Sequence, residues 1–155
     1  MADYSELNLL FAELDELHRL HMPSVLKKPD GQTRESEYIS ELIDDDDVFL
    51  LIALSNDTPV GLAHVSIQQS KPIPILVPRK YGYLETIVVA SNYRRMGVGK
   101  RLLHQAEQWA TSKEVSKIQL GVSEFNLSAA RFYEDAGYEV FSRRMWKDLM
   151  DVESD

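Results

Sequence analysis

Apolar residues early in the chain recur at helical spacing. Leu7, Leu10, Phe11, Leu14, Leu17 and Leu20 follow one another at intervals of three and four, which predicts a first helix. Residues 21–31 contain Pro23, Pro29 and Gly31 and read as a loop. A short helix is expected over residues 33–43 with Thr33 as its N-cap, and the acidic run 44–47 reads as a solvated turn. The pattern then changes. Residues 48–54 form a continuous apolar run, Asn56-Asp57 offers a tight turn, and residues 60–68 complete a hairpin. Pro72, Pro74 and Pro78 exclude a regular central strand over residues 70–80. A third strand is predicted at 83–89, an amphipathic helix at 99–111, a strand at 117–122, a helix at 126–136 stopped by Gly137, and a last strand at 138–146. This order predicts an α/β (α+β) architecture with helices packed on a mixed sheet.

Composition narrows the classes. The chain has 155 residues, which suits one domain over residues 1–150 with a frayed acidic tail at 151–155. It has no cysteine, which removes disulfides, thiolate metal sites and a cysteine nucleophile. The net charge of -8 argues against a nucleic-acid binder. The acidic N-terminus does not resemble a secretory signal, and no apolar run is long enough to cross a membrane, so a cytoplasmic protein is expected. His18 and His21 supply at most half a metal site, and no metal is expected.

The charge is unevenly spread. Residues 86–106 contain Arg94, Arg95, Lys100 and Arg101 and no acid, so the rest of the chain carries -12. The cations surround Gly97 and Gly99, at a turn leading into a helix. Glycines there let the backbone approach a ligand, and the helix start presents unpaired N–H groups with the positive end of its dipole. Such a turn suits a phosphate. It lacks the Walker pattern, since Arg101 follows Lys100 where Ser or Thr is required, and Leu102 stands at the third-glycine position of a dinucleotide fingerprint.

Arg94-x-x-Gly97-x-Gly99, after the strand Leu84-Glu85-Thr86-Ile87-Val88-Val89, resembles the acyl-CoA pyrophosphate loop of the GNAT superfamily of N-acetyltransferases. Downstream, Asn126-x-x-Ala129-x-x-Phe132-Tyr133-Glu134-x-x-Gly137-Tyr138 is similar to that family's second signature. The resemblance implies a mostly antiparallel central sheet flanked by helices, with acetyl-CoA as cosubstrate. The family's short first strand has no counterpart before the first helix, which leaves a bare sheet edge and motivates a homodimer.

The resemblance also implies residue roles. Ile87, Val88 and Val89 would offer main-chain groups to the acetyl and pantetheine amides. Arg94, Arg95, Met96, Gly97, Val98, Gly99 and Lys100 would cradle the pyrophosphate. Asn126 is either a CoA contact or a helix N-cap. Tyr133 would be the general acid toward the leaving thiolate, because a phenol is protonated at neutral pH. Glu85 would be the general base or a carboxylate that draws in a cationic amine. Phe132 is assigned to the core, and His64 and His104 to structural or surface positions. The expected reaction is direct acetyl transfer to a primary amine of a small molecule or protein. The rival readings are a non-catalytic acyl-CoA sensor and a plain nucleotide-binding domain.

Overall fold

The structure is a computed structural model that describes residues 4–150. The chain divides into two compact units, one ending at Gly121 and one beginning at Val122. The expected tail at 151–155 lies outside the described residues.

The first unit opens with helices α1 (Tyr4–His21) and α2 (Ser36–Asp44). Strands β1 (Val48–Ser55), β2 (Thr58–Gln69) and β3 (Lys80–Val89) follow, then a single 3-10 turn (Ser91–Tyr93), helix α3 (Val98–Ser112) and a short strand β4 (Ile118–Leu120). The sheet order is β1-β2-β3-β4, antiparallel except for the parallel β3–β4 pair. Asn56 and Asp57 turn the β1–β2 hairpin with φ of 48° and 65°, the left-handed pair that a two-residue hairpin of this twist requires.

Strand alternation divides the core between two faces. On one face Leu62 pairs with Ile52 and Val88, and these pack with Leu7, Leu10 and Phe11 of α1 and Ile39 of α2. On the other face α3 buries Leu102, Leu103, Ala106 and Ala110, and Phe49 stacks on Trp109 with ring centroids 5.2 Å apart. A Cβ at Gly61 would stand 3.0 Å from Leu102 Cδ1 and 3.1 Å from the Val88 carbonyl oxygen, so α3 lies on the sheet at glycine distance.

The hairpin β2–β3 is longer than the sequence pattern predicts. Its tip narrows to residues 70–79 and is closed by the Ser70 N–H donating to the Arg79 carbonyl at 2.8 Å. Helix α2 starts later than expected, and Thr33 is not its cap. Glu35 occupies the N-cap without a side-chain bond, while the Thr33 hydroxyl donates to Asp15 at 3.1 Å. That threonine and Arg34 are recruited by α1. Arg34 pairs with Asp15 and lies 4.6 Å above the Phe11 ring, and Asn8 takes both its backbone N–H and its carbonyl. Among the described residues no strand precedes α1, and β1 is one of the sheet's two outer strands.

The second unit holds helix α4 (Leu127–Asp135). The predicted strand at 138–146 does not form. It has no neighbouring strand within its unit, and a strand is completed only by a partner's backbone groups. Val140, Met145 and Trp146 are correspondingly exposed. Phe132, assigned to the core by its pattern, is only half-buried, and α4 contributes no buried residue.

Candidate functional site

The glycine turn joins β3 to α3. Gly97 takes φ of +83° at the α3 N-cap and Arg95 takes +62°, two left-handed residues that fold the loop back on itself. Nothing lies within 4 Å of where a Cβ on Gly97 would be, so the turn faces open space. The first backbone bond of α3 runs from the Arg101 N–H to the Gly97 carbonyl at 3.1 Å. The N–H groups of Val98, Gly99 and Lys100 therefore precede the ladder, and no side chain caps them. Arg95, Met96 and Lys100 are exposed. Donors, helix dipole and cations converge on one place, which is what an anionic pyrophosphate needs.

Arg94 is different. Its Nε donates to the Val89 carbonyl at 2.9 Å and its other end meets Glu13 of α1 at 3.3 Å. The same Glu13 oxygen accepts the Ser91 N–H at 3.1 Å. Arg94 thus braces the loop to β3 and α1, and Glu13 cancels one charge of the otherwise acid-free segment. Sequence reading missed Glu13, since no local pattern links residues 81 positions apart.

The second centre is on β3. β4 pairs with β3 only at Gly82, Tyr83 and Leu84, so no β4 residue pairs with Glu85 through Val89. Val88 is buried in the core, while Ile87 and Val89 are half-buried. Opposite, on β2, His64 pairs with Thr86 and Val65 with Leu84, so Glu85 is the extra residue of a β-bulge. Alternation from Tyr81 and Tyr83 keeps Glu85 on the face of Gln68 and Ser66, and the bulge puts Thr86 rather than Glu85 in register with His64. The Ser66 hydroxyl donates to Glu85 Oε1 at 2.9 Å and Gln68 Nε2 donates to the same atom at 3.1 Å. The Tyr81 hydroxyl donates to Gln68 Oε1 at 3.4 Å, and the Arg79 guanidinium lies 4.5 Å over the Tyr81 ring. His64, opposite the bulge, is 7% exposed. Burial pushes its pKa below 6.5, and the Glu85 charge opposes that shift. Ser66, Gln68 and His64 were not singled out as partners of Glu85. The one signal was alternation along each strand, and which β2 residues stand across from Glu85 depends on a register that has no sequence mark.

On α4, the Asn126 side-chain oxygen accepts the Ala129 N–H at 3.1 Å, so it caps the helix. Tyr133 packs against Phe132 and Tyr138 with centroids 5.3 Å and 5.7 Å away, and burial pushes its pKa up to about 12. Gly137 ends the helix at φ of +93°, with the Tyr138 N–H returning to the Tyr133 carbonyl at 3.0 Å.

Other candidates are placed elsewhere. His18 and His21 donate through Nδ1 to the carbonyls four residues before them, at 2.9 Å each. Among the described residues no three His, Asp or Glu side chains form a group able to hold a metal. An open groove of about 810 Å³ runs beside the outer strand β1, lined by Leu51, Ala53, Met96, Val98, Lys100 and Arg101 among others, and Glu85 is not part of it.

The fold is a mixed α/β domain, and the sequence pattern of the acetyltransferase (GNAT) family matches residues 11–138. The chain belongs to that family. A mutant of the BH1408 protein of Bacillus halodurans has the same fold, with a TM-score of 0.90 at 19% identity over 96% of this chain and 94% of that one. An aminoglycoside N-acetyltransferase, AAC(6')-Iy, solved in complex with CoA, has a TM-score of 0.63 at 22% identity over 72% of this chain and 83% of that one. Streptothricin acetyltransferase A of Bacillus subtilis (strain 168) is 42% identical over 53 residues, which are 34% of this chain and 31% of that protein. The chain spans less than half the length of the curated relatives it matches. Among the described residues no helix is long and apolar enough to cross a membrane.

Proposed function

We propose that the chain is an acetyl-CoA-dependent N-acetyltransferase that moves acetyl directly to a primary amine. The observation that carries this reading is one strand serving two centres. β3 bears Glu85, held by Ser66 and Gln68, and runs on past the end of β4 into a turn whose N–H groups lack partners. The open Gly97 turn and the exposed Arg95 and Lys100 fit a pyrophosphate, and the stretch from Ile87 to Val89 is free of β4 pairing and so fits extended amides.

Acetyl-CoA supplies an acetyl group activated as a thioester. The chain's own residues do the rest. The α3 start holds the anion by N–H groups and field, with Arg94 keeping the loop in shape. Glu85 presents a carboxylate to the amine, as base or as anchor for its cation. Tyr133 is the proton donor toward the thiolate, and a phenol with a pKa near 12 stays protonated at every working pH. No covalent intermediate on the protein is needed, so proximity provides most of the acceleration.

The acceptor is a cationic amine, of a small molecule or of a protein. The acidic remainder of the chain supports this, as do relatives named for streptothricin and aminoglycoside acetylation. A homodimer formed over the bare β1 edge belongs to the same reading.

The test is thiol release from acetyl-CoA across a panel of amines. The chain has no cysteine, so it contributes no thiol background. Release with at least one amine is expected, and Tyr133→Phe is expected to keep acetyl-CoA binding while turnover falls steeply. Binding without release for any amine would make the chain an acyl-CoA sensor, and tighter binding of ATP than of CoA would make it a nucleotide-binding domain.

A further inference from the structure

Glu85 shares its face of the sheet with a second ionisable group. Glu85 and Thr86 together stand opposite His64. Two residues before His64 on the same face is Leu62, fully buried in the core; two residues after is Ser66, bonded to Glu85. His64 therefore lies at the boundary between the apolar core and the polar cluster, across from Leu50 of β1.

Three observations define its state. The residue is more than nine-tenths buried, yet its ring makes no hydrogen bond within the described residues. Among the described residues no deeply buried side-chain nitrogen or oxygen lacks a partner, so both imidazole nitrogens keep contact with solvent. Glu85, beside the residue opposite His64 on β3, is the charged group that favours the ring's protonated form. A structural histidine in a core is normally locked by a hydrogen bond. This one is unlocked, next to a carboxylate, with a route for a proton to and from water.

Glu85 Oε1 is already engaged, accepting hydrogen bonds from Ser66 and Gln68. The His64 ring has no such engagement, and a neutral imidazole offers a free lone pair to a proton near neutral pH.

We propose, resting on the N-acetyltransferase reading, that His64 is the proton acceptor of the transfer and Glu85 the anchor for the acceptor's ammonium group. The ammonium loses one proton to a His64 nitrogen, directly or through one water. The freed lone pair attacks the thioester carbonyl, the C–N bond forms, and the C–S bond breaks. As the amide forms, its nitrogen sheds its second proton to solvent, the thiolate takes a proton from solvent or from Tyr133, which solvent then reprotonates, and the imidazolium returns its proton to solvent. The Glu85 charge stabilises the imidazolium while it exists.

The experiment compares His64→Gln and Glu85→Gln with wild type in kcat, amine KM and the pH dependence of kcat/KM. His64→Gln is expected to lower kcat by about 10²-fold or more, leave amine KM within about threefold, and abolish the limb below pH ~6.5. Glu85→Gln is expected to raise amine KM more than it lowers kcat and to retain a shifted limb. Proton NMR of the wild-type imidazoles adds a readout that needs no His64 variant. One ring is expected to titrate below 6.5 and to move lower in Glu85→Gln, because the stabilising charge is gone. A His64→Gln enzyme with unchanged kcat and profile, or a limb lost only in Glu85→Gln, would overturn the proposal alone. A wild type without turnover on any amine would overturn the underlying reading as well.

Discussion

Glu13 and Arg94 meet across 81 residues, and their pairing changes what each charge is for. Arg94 had the pattern of a cofactor ligand, yet its donors go to Val89 and Glu13. Removing Glu13 strips the Ser91 N–H of its acceptor and releases the guanidinium. Glu13→Ala is expected to cost about 1 kcal/mol in urea denaturation, within the range for partly exposed charged hydrogen bonds, and to raise the acetyl-CoA KM. His64 gives a residue-level dependence on pH. Its folded pKa lies below the unfolded value, so between the two the unfolded chain binds more protons and stability rises with pH. Unfolding free energy should therefore decline as pH falls below about 6.5, and His64→Gln should flatten that part of the curve measured by denaturation at stepped pH.

Two glycines set how the elements meet. Gly61 on β2 lies under α3, and a methyl group there would press a backbone oxygen that cannot move aside. Gly61→Ala is expected to cost roughly 1–3 kcal/mol by overpacking, seen as a lower denaturation midpoint with the same slope. Gly97 has open space around it but a left-handed backbone. Gly97→Ala is expected to cost about 1–2 kcal/mol through conformation alone and to weaken acetyl-CoA binding in calorimetry. Helix α4 tests a different point. Asn126 uses its oxygen as a cap, so Asn126→Ala should cost about 1 kcal/mol and Asn126→Ser should restore most of it.

At the scale of the molecule the uneven charge has a physical consequence. The loop and α3 start are cationic while the remainder is acidic, so cofactor binding should weaken as added salt screens the exposed cations. Calorimetry from 0.05 to about 0.5 M salt checks this. One edge of the sheet is β1, eight residues long, and among the described residues no strand pairs with its outer side. A long bare edge invites pairing. Sedimentation velocity at micromolar concentration is expected to show a dimer, and a monomer alone would remove the basis for that proposal.

The sequence by itself determined the element types as far as α4, the hairpin turn at Asn56-Asp57, the apolar stripe of α3 and the glycine turn. Each of these is a local matter of periodicity or backbone freedom, carried by neighbouring residues. Tertiary structure decided the rest. Thr33 left its capping role because Asp15 of α1 lay within reach, and the last predicted strand found no edge in its unit. Thr86 and Val88 share the face of His64 and Leu62, next to Glu85, because one unpaired residue reversed their side of the sheet. Alternation along a strand is legible in a sequence, but a bulge is fixed by the register with a second strand, and register belongs to the pair rather than to either segment.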